Sequence, residues 1–113
     1  MKLFHYCCEH SAPGIEAAGK LIPSGIHKSM QLVWLTDLPH PDRDALGLTS
    51  QILACDRTQY RITVDTDDAA HWFKYRREVP AEIRDGLELA PGVQPGNWYV
   101  SATPIPVSGI EKL

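Results

Sequence analysis

Lys2-Leu3-Phe4-His5-Tyr6-Cys7, followed by Ser11-Ala12-Pro13-Gly14-Ile15-Glu16-Ala17-Ala18-Gly19, sets the reading of the whole chain. The first six residues alternate in character and are rich in strand formers. They predict a strand with Leu3, His5 and Cys7 on one face and Phe4, Tyr6 and then Cys8 on the other. Ser11 stands at a helix N-cap position, Ile15 and Ala18 share a side, and Gly19 occupies the usual stop, so a helix of about two turns is predicted over 12–18. The 9 prolines and 8 glycines keep cutting the chain into pieces of this size, which excludes a long helical bundle.

Leu21-Ile22 reads as a brief extended piece, and Pro23-Ser24-Gly25 opens a loop running to about Met30. Gln31-Leu32-Val33-Trp34-Leu35-Thr36 is the most apolar stretch, and its length and branched or aromatic content predict a buried, central strand. A polar connection with two prolines runs from Asp37 to Asp44, and Asp42 is a cap for a single helical turn through Leu46 before Gly47. Ile52-Leu53-Ala54-Cys55 is a further apolar segment, and Tyr60-Arg61-Ile62-Thr63-Val64 alternates as a half-buried strand. Ala69, Trp72, Phe73 and Arg76 recur at helical spacing, predicting a helix over 68–77 capped by Asp67 or Asp68. A second short helix is predicted over 81–89, closed by Pro91-Gly92, then a strand over 98–101 and an extended piece over 105–107. Strands and helices arranged in this order predict an α+β fold, not an alternating doubly wound sheet.

The 113 residues make one domain, 1–113, with no repeat or linker inside it. With 43% hydrophobic and 22% charged residues the chain is neither disordered nor collagen-like, and no run approaches the length of a membrane span. A net charge of −3 argues against a fold dominated by a basic nucleic-acid surface. The odd count of 3 cysteines and a start without the apolar stretch of a signal peptide point to a reduced, cytoplasmic protein.

Several patches invite chemistry. His5-Tyr6-Cys7-Cys8-Glu9-His10 holds zinc-type ligands, but adjacent cysteines on a strand point to opposite faces, leaving His5 and Cys7 with His10 or Cys55 as helpers. The same patch permits a thiolate activated by His5 or His10, against the plainer reading of half-buried structural thiols. There is no Gly-x-Ser-x-Gly elbow and no Walker or Rossmann glycine pattern. Lys74, Arg76 and Arg77 beside Trp72, Phe73 and Tyr75 could meet a phosphate backbone, though Glu78, Glu82 and Asp85 offset the charge and a solvated helix face is the simpler account. Trp34 and Trp98 read as core or pocket-wall residues.

Taken together, Leu3-Phe4-His5-Tyr6 with Ile15 and Gly19-Lys20-Leu21-Ile22-Pro23 resembles the first motif of the ADP-ribosyltransferase fold, a histidine-bearing strand, short helix and glycine-led return. Val33-Trp34-Leu35-Thr36 is similar to its second motif, and Trp98-Tyr99-Val100-Ser101 through Ile105 and Ile110 to the closing strand and turn of the DNA ADP-ribosylating toxins and their relatives. The resemblance implies a split, curved pair of antiparallel sheets with short helices and NAD pinched between them. Carried over, His5 would hydrogen-bond the nicotinamide-side ribose, the Tyr6 backbone would meet the carboxamide and Thr36 would sit beside the ribose. Trp34 or Tyr6 would wall the nicotinamide, and Arg43 would be a phosphate partner. The activity implied is transfer of ADP-ribose from NAD to a macromolecule, nucleic acid or protein.

The sequence also departs from that pattern. Asn97 stands where many active transferases place a Glu, and Tyr6 replaces the glycine that often follows the histidine. An amide supplies no negative charge to a ribose gaining positive charge, so a non-catalytic binding or inhibitor module on the same fold is the alternative. RNA 2′-phosphotransferases share the fold and NAD, and Arg43, Arg57 and Arg61 are the candidates for their phosphate-gripping role, but the spacing does not reproduce that branch's pattern.

Overall fold

A computed structural model describes residues 1–24, 31–41 and 58–113. In chain order they form strand β1 (Lys2–Cys7), helix α1 (Ala12–Ala18), the short strand β2 (Lys20–Leu21), strands β3 (Val33–Thr36) and β4 (Tyr60–Asp65), and the short strand β5 (Ala70–His71). Helix α2 (Trp72–Tyr75) runs on into a 3₁₀ turn (Arg76–Glu78), and helix α3 (Ala81–Glu88) and a second 3₁₀ turn (Pro95–Asn97) follow. Strands β6 (Trp98–Ser101), β7 (Ile105–Pro106) and β8 (Gly109–Lys112) complete the order.

The described strands make a six-stranded sheet in the order β5-β6-β3-β1-β4-β8 and a separate β2-β7 pair, with every pairing antiparallel. The fold is thus a small α+β domain of antiparallel sheets and short helices, with β3 and β1 at the centre of the larger sheet. Cross-strand partners share a face. The pairs Leu3↔Val64, His5↔Ile62 and Leu35↔Tyr99 define what we call the front, and Phe4↔Thr36, Tyr6↔Arg61 and Trp34↔Val100 define the back.

Each face carries its own core. On the front, Leu3, Cys7, Val33, Leu35, Ile62 and Val64 pack with Ala12 of α1, Leu21 of β2 and Ile105 of β7, so the small sheet and α1 form the front layer. On the back, Val100 and Trp98 pack with Leu32, Trp72 and Val79, flanked by Trp34, Tyr75, Ile83 and Leu87, so α2 and α3 cover that side. Trp72 is completely buried and its ring lies 5.2 Å from that of Trp34 and 5.9 Å from that of Trp98.

Four expectations change. Ser11 precedes α1 as expected, but its backbone is already helical and its side chain makes no cap bond; the hydroxyl instead lies 3.8 Å from Cys8 Sγ. The helix expected over 68–77 begins only at Trp72, because Ala70 and His71 pair with Val100 and Tyr99 of β6, and a ladder to a neighbouring strand outweighs weak local helix preference. Its cap is therefore His71, whose Nδ1 accepts the Phe73 N–H at 3.1 Å, and not Asp67 or Asp68. The strand Gly109–Lys112 has no apolar alternation to announce it and is held by β4, with Ile110 opposite Ile62. Cys7 is free and buried, whereas Cys8 is disulfide-bonded, so the expectation of a fully reduced chain does not hold. The expected turn at Asp42 to Leu46 and the segment Ile52 to Cys55 lie outside the described residues.

Candidate functional site

His5 projects from the centre of β1 onto the front face. Its Nδ1 lies 2.8 Å from the backbone oxygen of Trp34, and because a carbonyl only accepts, Nδ1 carries a proton and donates it there. The β1·β3 register, Phe4 opposite Thr36, puts His5 level with Leu35. Leu35 pairs with Tyr99 of β6, and Tyr99 pairs with His71 of β5. His5, Leu35, Tyr99 and His71 thus form one transverse row across four strands, with Leu35 buried in the front core between half-buried polar groups. At the spacing of sheet strands, His5 and Tyr99 are about 10 Å apart.

The far end of the row is rigid. The His71 ring meets the Tyr99 ring edge-on at 5.0 Å, and since Nδ1 accepts from Phe73, Nε2 donates to the carbonyl of Gly96 at 2.8 Å. This bond anchors the 3₁₀ turn that ends in Asn97. Asn97 Nδ2 in turn donates to Asp37 Oδ1 at 2.9 Å, just past the end of β3. Burial first, and the Asp37 charge second, raise the Tyr99 phenol above its ordinary range, which puts that carboxylate within electrostatic reach of the row.

Tyr6, Trp34 and Thr36 lie elsewhere. Their side chains are on the back, so the sheet itself separates them from the His5 ring, and they do not line one pocket with it. Trp34 belongs to the back core, against Trp72 and Trp98. Tyr6 and Thr36 serve the turn after β3: the Tyr6 hydroxyl donates to the Leu38 carbonyl at 2.8 Å, and Thr36 Oγ1 accepts the Leu38 N–H at 3.1 Å. Arg61 completes this clamp. Its guanidinium sits over the Phe4 ring, donates to the Pro39 carbonyl and pairs with Glu111 at 3.0 Å. Arg61 is therefore a structural cation of the back face and is not placed for gripping a phosphate on the front. Arg43 and Arg57 lie outside the described residues.

The basic cluster resolves in the same direction. Arg76 makes a two-pronged pair with Glu88 of α3, with contacts from 2.7 to 3.1 Å, and this bond holds the Glu88 carboxyl below its ordinary range. Lys74 and Arg77 are exposed. Among the described residues no group of three or more His, Cys, Asp or Glu side chains is arranged to hold a metal ion. No helix among them is long and apolar enough to cross a membrane.

The sequence pattern put His5, Thr36 and Asn97 together; the structure turns Thr36 to the back and ties Asn97 to Asp37, and Tyr99, His71 and Asp37 escaped the pattern. Tyr99 and His71 become site residues through strand register, and Asp37 through a contact sixty positions away in the chain. Comparison with protein-family models, with curated proteins and with solved structures finds no match.

Proposed function

We propose that this domain binds NAD across the front face of the large sheet and transfers ADP-ribose to a macromolecular acceptor, nucleic acid or protein, as the resemblance to ADP-ribosyltransferases implies. The observation that carries the reading is the adjacency of β1, β3 and β6. Strands from the three stretches bearing the resemblance lie side by side, with the His5 ring tied to β3 and Asn97 tied to Asp37, just past the end of β3. The fit is chemical. The half-buried His5 imidazole is a group of the kind that hydrogen-bonds a ribose hydroxyl, half-buried Tyr99 offers an aromatic edge for a flat ring, and Asn97 with Asp37 bounds the polar end. NAD supplies a glycosidic bond whose cleavage needs the ribose held still while positive charge develops on it, and side chains locked by hydrogen bonds meet that need. The walls assigned to Tyr6 and Trp34 pass to Tyr99.

Calorimetric titration of NAD into the wild type and His5→Ala at fixed pH and salt tests this. The expected result is saturable binding that weakens about tenfold in the variant, the effect of one lost hydrogen bond of ordinary strength. No heat of binding from the wild type at millimolar NAD overturns the reading. Asn97 at the position of the usual Glu favours a second reading, a binding module on the same fold. It takes precedence if NAD binds and no nicotinamide is released.

A further inference from the structure

Asp37 is held from two sides, through the backbone that follows it and through its carboxylate. Behind it, three side chains from three strands converge on the two residues that follow. Tyr6 of β1 holds the Leu38 carbonyl, Thr36 of β3 holds the Leu38 N–H, and Arg61 of β4 holds the Pro39 carbonyl. Arg61 is braced in turn by Glu111 and the Phe4 ring. In front, Asn97 donates to Oδ1 at 2.9 Å. Asp37 stays half-exposed under these restraints, so a charged group is kept at one place without being buried or neutralised by a cation among the described residues. A half-exposed carboxylate restrained by one neutral donor, on a backbone pinned just behind it and within electrostatic reach of a half-buried aromatic, is a device for positive charge that appears beside it.

We propose that Asp37 is the carboxylate that stabilises the ribose of NAD as its bond to nicotinamide breaks, with Asn97 acting as the residue that positions it. The inference rests on the NAD reading above and deepens it. It also gives Asn97 a role that an amide can fill: not a source of charge, but a donor that fixes one carboxylate oxygen and leaves the other to the substrate. The step balances simply. The bond between the ribose anomeric carbon and the nicotinamide nitrogen breaks, and its electron pair leaves with neutral nicotinamide. The positive charge passes to the ribose carbon and ring oxygen, facing Asp37. A nucleophile, water in the assay or the acceptor in transfer, forms the new bond to carbon and loses its proton to solvent.

The test compares wild type, Asp37→Asn and Asn97→Ala in two measurements, NAD affinity by calorimetry and nicotinamide release at saturating NAD. Asp37→Asn keeps the shape and removes the charge. It is expected to bind NAD within about threefold of the wild type while release falls at least about a hundredfold, the usual loss when one preorganised electrostatic partner is removed. Asn97→Ala keeps the charge and loses its anchor, and is expected to lose about tenfold in release while affinity stays within about threefold of the wild type. Release by Asp37→Asn within threefold of the wild type overturns the role of Asp37 and leaves the NAD reading standing. Binding without release in the wild type also overturns it, in favour of the binding module, and no binding at all removes both. If Asp37→Asn does not fold, as judged by its thermal melt, Asn97→Ala decides: unchanged release overturns the proposal.

Discussion

Tyr6 illustrates how much one hydroxyl can fix. Its oxygen donates to the Leu38 carbonyl, while burial, partly offset by the nearby Arg61, raises the phenol above the ordinary tyrosine value of about 10. The folded chain therefore holds this proton more tightly than the unfolded chain does. The stability so gained is fully present below pH about 10 and drains away as pH rises through the higher folded value. Tyr6→Phe is expected to cost about 1 kcal/mol near neutral pH, because the carbonyl loses its donor. In alkaline solution the variant's stability curve, followed by urea melts between pH 8 and 11, is expected to fall less steeply than that of the wild type. Equal slopes would mean that the Tyr6 bond contributes nothing to the alkaline limb. At this scale the alternation of residues 2–7 places the His5 ring on the front with Leu3 and Cys7. Nothing in the residues around Asp37 announces its surroundings, because its neighbours Asn97, at the end of a 3₁₀ turn, and Tyr99 of β6 lie far along the chain.

Elements are delimited where local chemistry is strong and overruled where it is weak. Helix α1 ends where Gly19 adopts φ of 69°, a left-handed conformation that costs a side-chain-bearing residue, and its N–H returns to the Ile15 carbonyl to close the last turn. A Cβ at Gly19 would meet nothing within 4 Å, so the cost of adding one is conformational and not steric crowding. Gly19→Ala is expected to destabilise the fold by about 1 kcal/mol, read as a shift in urea midpoint without change in slope; an unchanged midpoint would show that the return into β2 tolerates another turn. The helix expected over 68–77 shows the opposite case. Its apolar spacing is real, and Trp72 does fill the back core, but the two residues before it were claimed by β6. Strand β8 was illegible for a similar reason, since its alternation is weak and its place depends on the edge that β4 offers.

Across the whole molecule, one sheet has apolar packing on both faces, and neighbouring residues of β3 serve different cores: Val33 and Leu35 the front, Trp34 the back. This sharing predicts a single cooperative transition. Leu3→Ala in the front core is expected to cost about 2–5 kcal/mol and Trp72→Ala in the back about 3–5 kcal/mol, both sites being completely buried. The 3 tryptophans all report on the back core, so the Leu3→Ala unfolding curve should coincide by tryptophan fluorescence and by far-ultraviolet circular dichroism; separated curves would show two independently melting halves. The residues by themselves determined the α+β class, the extents of β1 and α1, the late strand at 98–101 and the face of His5, because alternation, glycine stops and proline breaks act over a few residues. Alternation already turned Tyr6 away from His5, but only the tertiary structure decided that Trp34 and Thr36 share the Tyr6 face and that Tyr99, His71, Asn97 and Asp37 gather at the end of the His5 row. Those relations depend on strand order and register, which arise from contacts between residues far apart in the chain.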